Sequence, residues 1–409
     1  MGVPAPEIPG SMLLDSTVLD DPYPFYQRLH EEAPVWRVPG TDVFVVSSFE
    51  LVCDATARVD DFSSHMRALL YRDNEGLPGR LEFGGEGTDA LATADPPVHK
   101  MHRDVVFSEL VAKRMATLEE PIAELADVRI DGAIAKGTVD FMADVGNIVP
   151  ITVISWLIGF RASDPERLLE AAFDSTSLVG GNVSLGQLEG LVVRSGEIGA
   201  WIADQLAGSI ETPTDDILGA IARGVSSRSM THREGVVVLQ TLLSAGGEST
   251  TSLLGNAVRY LAEHQDMQDQ LRAEPELLQI FIEEMLRLES PFRFLLRSAP
   301  ATTSLGGVEI PAGSSVLLFW AAANRDGAAF PQPDQVDLER PVPRRHVAFG
   351  RGIHHCVGAP LARLEARIVL GLLLQKTIAF TLDREHRPVW VESLQVRRHG
   401  KLPVLLTAR

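Results

Sequence analysis

From Thr231 to Glu274 the chain contains no proline, and apolar residues fall on almost every side of a helix drawn through its first half. The stretch opens with Thr231-His-Arg-Glu234, a capping-box pattern in which the hydroxyl and the carboxylate satisfy free backbone amides. The expected helix runs about 33 residues, roughly 50 Å at 1.5 Å per residue. Val236, Val237, Val238, Leu239, Leu242 and Leu243 leave it almost no polar face. A helix apolar all round belongs in the middle of a protein. The chain must therefore build a large, mainly helical body around it.

Composition allows such a body. Of 409 residues, 45% are apolar and 22% charged, the balance of a folded globular protein. Length alone permits two or three domains, or one large enzyme. Lys and Arg number 37 against 55 Asp and Glu, a net charge of −18. Phosphate binding needs basic surface, so nucleic acid is not an expected partner. No apolar run approaches the ~18 residues of a membrane span. The first residues, Met1-Gly-Val-Pro-Ala-Pro-Glu7, lack the basic flank and apolar centre of a signal peptide. Cys53 and Cys356 are the only cysteines, too few for a disulfide scaffold and too far apart for a structural zinc site. A cytoplasmic location fits, and a thiol that does chemistry does it singly.

Along the chain, residues 1–21 read as a Pro-rich irregular arm and 22–409 as one domain, mainly α with a minor β portion. A short helix is expected at 22–31. Val35–Val38 and Val43–Val46 form a hairpin about Pro39-Gly-Thr-Asp42. Residues 73–97, rich in Gly and Pro and without apolar period, read as a long loop of the kind that serves as a lid. A second helix covers Pro275 to about Leu288, strands fill 292–320, and a helix runs from about Ala359 to Leu374.

Chemistry concentrates at Phe349-Gly350-Arg351-Gly352-Ile353-His354-His355-Cys356-Val357-Gly358. A cysteine amid glycines, leading directly into a helix, suits an anionic sulfur ligand. The helix N-terminus favours thiolate over thiol, and glycines let backbone amides approach the sulfur. A buried structural cysteine is the plainer reading of a lone Cys. Yet Phe, three Gly, His and Cys fall at these offsets by chance well under about once in a million.

The segment resembles the cysteine loop of the cytochrome P450 family, F-G-x-G-x-H-x-C-x-G, at every fixed position. The resemblance implies the cytochrome P450 fold, with a large helical domain, a long central helix and a small β-rich part. It implies that Cys356 is the axial thiolate of haem b iron, and that Phe349, Gly350, Gly358 and Ala245 are also haem-binding residues. A thiolate pushes electron density onto the iron and favours O–O cleavage.

Other segments agree. Glu284-Met-Leu-Arg287 resembles the family's E-x-x-R, completed by Arg340, which implies a buried network holding the cysteine loop. Asp95-Pro-Pro-Val-His99-Lys-Met-His-Arg103 resembles D-P-P-x-H-x-x-x-R, implying that His99 and Arg103 bind haem propionates, joined by Arg297 and His354. Ala245-Gly-Gly-Glu248-Ser249-Thr250 resembles A-G-x-[DE]-T-T, with Ser249 in place of the usual threonine. Two mid-helix glycines cost roughly 1 kcal/mol each against alanine, so close approach of a ligand and a local helix distortion are expected. Glu248 and Ser249, or Thr250, would then relay protons towards the haem. The plainer alternative is a small-residue helix crossing with Glu248 in a salt bridge.

The implied activity is a monooxygenase reaction that inserts one atom of O2 into a C–H or C=C bond of a small, largely apolar organic substrate. Electrons would come from a ferredoxin and its reductase, ultimately from NAD(P)H, through a basic patch at Lys100, Arg344, Arg345 and Arg351. The substrate pocket is expected between the 73–97 loop, Ser244, Ala245 and Glu248, and Phe294 and Leu295. A monomer is expected. The rivals are a peroxide-driven or non-oxygenase haem-thiolate reaction, and a ligand-binding haem protein without turnover.

Overall fold

The computed structural model describes residues 8–82, 88–109, 112–161, 163–341 and 343–409. The long helix is realised as His232–Glu263, unbroken over 32 residues. Thr231 caps it, accepting from the Glu234 amide while the Glu234 carboxylate accepts from the Thr231 amide at 2.7 Å. It stops at His264, whose backbone leaves the helical conformation, and Gln265–Ala273 forms a separate helix. Val238, Leu239, Leu243, Leu253, Leu254, Ala257, Val258 and Leu261 are almost wholly buried along it. Around it pack Ile148–Ile158, Pro165–Val179, Leu185–Glu211, Leu278–Leu288 and Ala359–Lys376.

Among the described residues, the minor β portion has one sheet of four strands and four smaller sheets. In the largest sheet, the expected hairpin Val35–Arg37 and Val43–Val46 pairs antiparallel. Val43–Val46 then runs parallel to Ser315–Leu318, Val43 opposite Ser315, and Leu295–Ser298 closes the far edge. This parallel pairing joins segments some 270 residues apart, which no local pattern specifies.

Two expectations change. From Ile8 onward the N-terminal segment is not an irregular arm. It folds into turns at Gly10–Leu14 and Ser16–Asp20, and Leu13, Leu14 and Leu19 enter a core with Phe25, Trp36 and Phe319. Its apolar residues outweigh its prolines, of which Pro4 and Pro6 lie outside the described residues. Nor is 73–97 one loop. Pro78–Glu82 pairs with Ala68–Arg72 about a turn where Asp73 accepts from the Leu77 amide, and Leu91–Thr93 forms a helical turn. Residues 83–87 of that segment lie outside the described residues.

Candidate active site

The cysteine loop is shaped by its glycines. Gly350 and Gly352 adopt φ of 68° and 72°, a left-handed conformation that side chains with a Cβ resist. The Gly350 amide donates to Val347 O at 2.8 Å, and the Cys356 amide donates to Phe349 O at 2.9 Å. A Cβ on Gly352 would stand 3.1 Å from Thr56 O, so the loop also packs against the helix Phe49–Ala57. Cys356 thus stands three residues before the first residue of Ala359–Lys376, and its sulfur accepts from the amides of Gly358 and Ala359. Burial pushes the thiol up, while those amides and the charges of Arg103 and Arg363 favour the thiolate.

Beside it the four expected cationic residues converge. The rings of His99 and His354 are 4.1 Å apart, and Ser64 Oγ lies 2.9 Å from His354 Nε2. Burial holds Arg297 down to about 10, partly countered by Asp95. Burial, then Arg297 and His99, force His354 down to about 3. His99 is lowered by burial and by Arg103. Asp95 is the acid that acts on this group, and it already accepts from Ser63 Oγ at 2.5 Å and from the Ser64 amide at 2.9 Å. Two guanidinium groups and two imidazoles crowd together with too little negative charge. Such an arrangement calls for an anion with more than one charged group.

On the central helix, Ala245 is exposed although it sits near the middle of the molecule's most buried element, and Ser244 and Ser249 are half-buried beside it. Ser249 Oγ donates to Ala245 O at 2.6 Å, and Ser244 Oγ to Gln240 O at 2.7 Å. Thr250 is buried. The expected pairing of Glu248 with Ser249 is not formed. Glu248 Oε1 accepts from Arg398 Nε at 2.8 Å, and Oε2 accepts from the Thr176 hydroxyl. Adjacent helical residues point about 100° apart, and Glu248 turns towards the helix Pro165–Val179. The glycines likewise serve packing rather than a distortion. A Cβ on Gly246 would meet Ile154 at 2.8 Å, and one on Gly247 would meet Ile151 at 2.9 Å, so both permit a close crossing with Ile148–Ile158.

Glu284, Arg287 and Arg340 meet as expected, all buried. Arg287 Nη1 also donates to Asn324 O at 3.1 Å and Nη2 to Gln335 O at 2.7 Å; the Asp337 amide donates to Glu284 at 3.0 Å. The segment leading to the cysteine loop is held by these bonds.

A family model described as cytochrome P450 matches residues 214–389. Cytochrome P450 144 of Mycobacterium tuberculosis is 40% identical over 387 residues, covering 94% of this chain and 88% of that protein. Vitamin D(3) 25-hydroxylase of Pseudonocardia autotrophica is 32% identical over 411 residues, covering 97% and 96%. The chain belongs to the cytochrome P450 family. Among solved structures, CYP109E1 from Bacillus megaterium in complex with testosterone matches with TM-score 0.85 at 26% identity, covering 96% of this chain and 99% of that one. The P450 fold and monooxygenase class follow. Among the described residues, no helix is long and apolar enough to cross a membrane.

The P450 site fits haem. Cys356 offers a sulfur supplied with backbone donors, and beside it Arg103 and Arg297 offer charge, and His99 and His354 hydrogen bonds, for two propionates. The P450's expected pocket wall is revised at two residues: Glu248 is buried and held by Arg398 and Thr176, and Phe294 also leaves the wall. Phe294 is buried and stacks on Phe319 with ring centres 5.6 Å apart, inside the N-terminal core, because alternate residues of an extended segment face opposite sides. Leu295 remains half-buried.

Sequence reasoning missed a second buried network. Arg363 donates to both oxygens of Glu283, at 2.5 and 2.8 Å, and lies 4.5 Å over the Phe349 ring. His346 Nδ1 accepts from the Ala348 amide while Nε2 meets Glu283 at 3.0 Å. The Val347 amide donates to Asn324 Oδ1 at 2.7 Å. Glu283 sits next to the recognisable Glu284, but nothing local distinguishes its partners. Ser64 was missed for the same reason, and Asp95, which opens the D-P-P segment, was given no role of its own.

Proposed function

We propose that this monooxygenase binds haem b through Cys356 and oxidises a bulky, largely apolar organic substrate with electrons from a ferredoxin and its reductase. The observation that carries the reading is Cys356 at a helix start, with two amides turned to its sulfur. Bound haem would supply the oxygen-activating chemistry, and the Cys356 thiolate would donate electron density to it. The residues of the chain hold and serve it. His99, Arg103, Arg297 and His354 would bind the propionates. Ala245, with no side chain beyond Cβ, would leave room for a substrate beside the haem.

Ser249 Oγ is the hydroxyl we assign to proton delivery. At rest it donates to Ala245 O, and rotation about χ1, freer in serine than in threonine, turns it to the cavity. Leu295 and Ser244 border the substrate space. The acceptor surface for the ferredoxin is assigned to Arg344, Arg345, Arg351 and Lys100, all exposed. Apolar relatives' ligands support the substrate class: one relative is named for vitamin D3, and structural neighbours hold testosterone and erythromycin B. We further propose a cytoplasmic monomer.

The test is the absorption spectrum of the dithionite-reduced protein with carbon monoxide. A strongly red-shifted Soret band is expected; a band like that of histidine-ligated haem would refute thiolate ligation. A second reading, peroxide-driven oxygenation, gains from the separation of Glu248 and Ser249. Product formed with hydrogen peroxide alone, at the ferredoxin-supported rate, would favour it.

A further inference from the structure

We propose that the core beneath the N-terminal segment holds a small monovalent anion of the class of chloride, bound by the guanidinium of Arg293 with the Tyr26 hydroxyl and the Gln395 amide. Arg293 is 2% exposed, yet among the described residues it forms no ion pair. Its Nη2 donates to Leu19 O at 2.7 Å, and its Nε is buried with no partner. A guanidinium taken out of water without a counter-charge is costly, and burial holds Arg293 below its ordinary value. The acid nearby is already shared. Glu289 accepts from Arg397 Nε at 3.2 Å, from Arg259 Nη2 at 3.3 Å and from the Tyr23 hydroxyl, with Arg325 Nη2 at 3.8 Å. Arg259 and Arg325 have second acids towards the surface, Glu263 and Asp334, which leaves Glu289 to Arg397. Arg293 is the guanidinium left over.

Backbone pairing places the other donors. Phe292 and Val396 form an antiparallel bridge, with the Arg293 amide donating to Gln395 O at 2.6 Å and the Arg397 amide to Pro291 O at 2.9 Å. Arg293 therefore stands opposite Gln395, and their side chains leave the same face of the ribbon. Arg397 shares that face, and its Nη1 donates to Asp20 O at 2.6 Å, beside the carbonyl that Arg293 holds. Tyr26 comes from the helix Tyr23–Glu32 and, of the groups acting electrostatically on Arg293, acts most strongly. The Tyr26 hydroxyl and Gln395 Oε1 are also buried without a partner. The hydroxyl can donate, and turning the Gln395 amide over offers Nε2 where Oε1 stands. Arginine Nε can only donate. Three unpartnered groups able to donate, beside an unmatched positive charge, suit a guest that only accepts. A water molecule would leave the charge unmatched. Tyr26 packs on Phe319 with ring centres 5.9 Å apart, and Phe319 on Phe294, so the close aromatic packing favours a monatomic ion over an organic one. The ion would tie the N-terminal turns and the C-terminal segment to one core.

The test is independent of the haem reading above. The purified protein is unfolded with urea at constant ionic strength while sodium gluconate is replaced stepwise by sodium chloride. Wild type, Arg293→Met, Tyr26→Phe and Gln395→Leu are compared; gluconate is too large to enter the core. In about 0.1 M chloride the folded-to-unfolded ratio of wild type should rise about tenfold over gluconate, equal to about 1.4 kcal/mol, and should saturate. Arg293→Met should abolish the rise. Tyr26→Phe and Gln395→Leu keep the guanidinium, and each should raise the chloride concentration at half-effect about threefold. Crystals grown in sodium bromide should show an anomalous bromine peak beside Arg293 Nε. Equal stability in chloride and gluconate, a chloride effect that persists in Arg293→Met, or no bromide at Arg293 overturns the proposal. Where Arg293→Met does not fold, an unchanged half-effect concentration in both Tyr26→Phe and Gln395→Leu overturns it instead.

Discussion

Arg287 grips Glu284 with both arms of its guanidinium, Nε to Oε1 and Nη2 to Oε2, each at 2.9 Å and fully shielded from solvent. Arg340 Nε adds a third bond to Oε1 at 2.8 Å. Removing one member leaves buried charge uncompensated, which typically costs about 3–5 kcal/mol. Arg287→Ala and Glu284→Gln should therefore lower thermal stability severely and yield little haem-loaded protein. A melting temperature near wild type for either would contradict a structural role.

Cys356→Ser should abolish thiolate ligation while leaving the cationic group intact. The check is the reduced, carbon monoxide-bound spectrum, and a wild-type band in the variant would refute the assignment. Arg297→Ala should weaken haem retention without changing that band, measured as faster haem transfer to apomyoglobin.

Ser249→Ala should raise peroxide release per product formed. Its hydroxyl lies on the open side of the central helix, whereas the Glu248 carboxylate is turned away. Unchanged coupling in Ser249→Ala would move the assignment to Thr250.

Acid should undermine the fold in two stages. His399 is fully buried with neither ring nitrogen bonded, and burial, then Arg259 and Arg397, push it down to about 3. A depressed folded-state value means its stabilisation is present above 6.5 and is lost as pH falls from there towards 3. Glu283 is drawn down to about 2, its bonds to Arg363 and His346 outweighing the larger opposing effect of burial. Its contribution is present above 4.5 and is lost as pH falls from 4.5 towards 2. His399→Phe should flatten the stability curve in the upper window and Glu283→Gln in the lower one, read by chemical denaturation at stepped pH. Unaltered slopes in both would rule out these groups as the source.

Gly246→Ala should destabilise by about 1–3 kcal/mol through overpacking, partly offset by about 1 kcal/mol of helix propensity. Ile154→Ala removes both atoms that stand 2.8 Å from the new methyl. It should therefore cost less in the Gly246→Ala background than in wild type, by denaturant melts of all four proteins.

The sequence is most legible where the cause is local. Thr231 and Glu234 cap each other within one turn, so the start of the central helix is written in four residues. The loop around Cys356 needs glycine at fixed offsets, and Glu284 reaches Arg287 along one helix face. Those residues carry their geometry with them. The N-terminal segment misled because proline suggests irregular chain, while the burial of Leu13, Leu14 and Leu19 depends on the sheet beneath. Phe294 misled because one residue of shift along an extended segment exchanges cavity for core.

What the sequence by itself determined is therefore the central helix, the thiolate loop, the charged residues offered to haem and, through them, the family. What only the tertiary structure decided is how distant faces meet: Glu248 with Arg398, Glu283 with Arg363 and His346, and Gly246 with Ile154. A short motif fixes its own backbone through bonds a few residues apart. The partner of a buried charge is fixed by the crossing of whole helices, and that depends on every side chain packed between them.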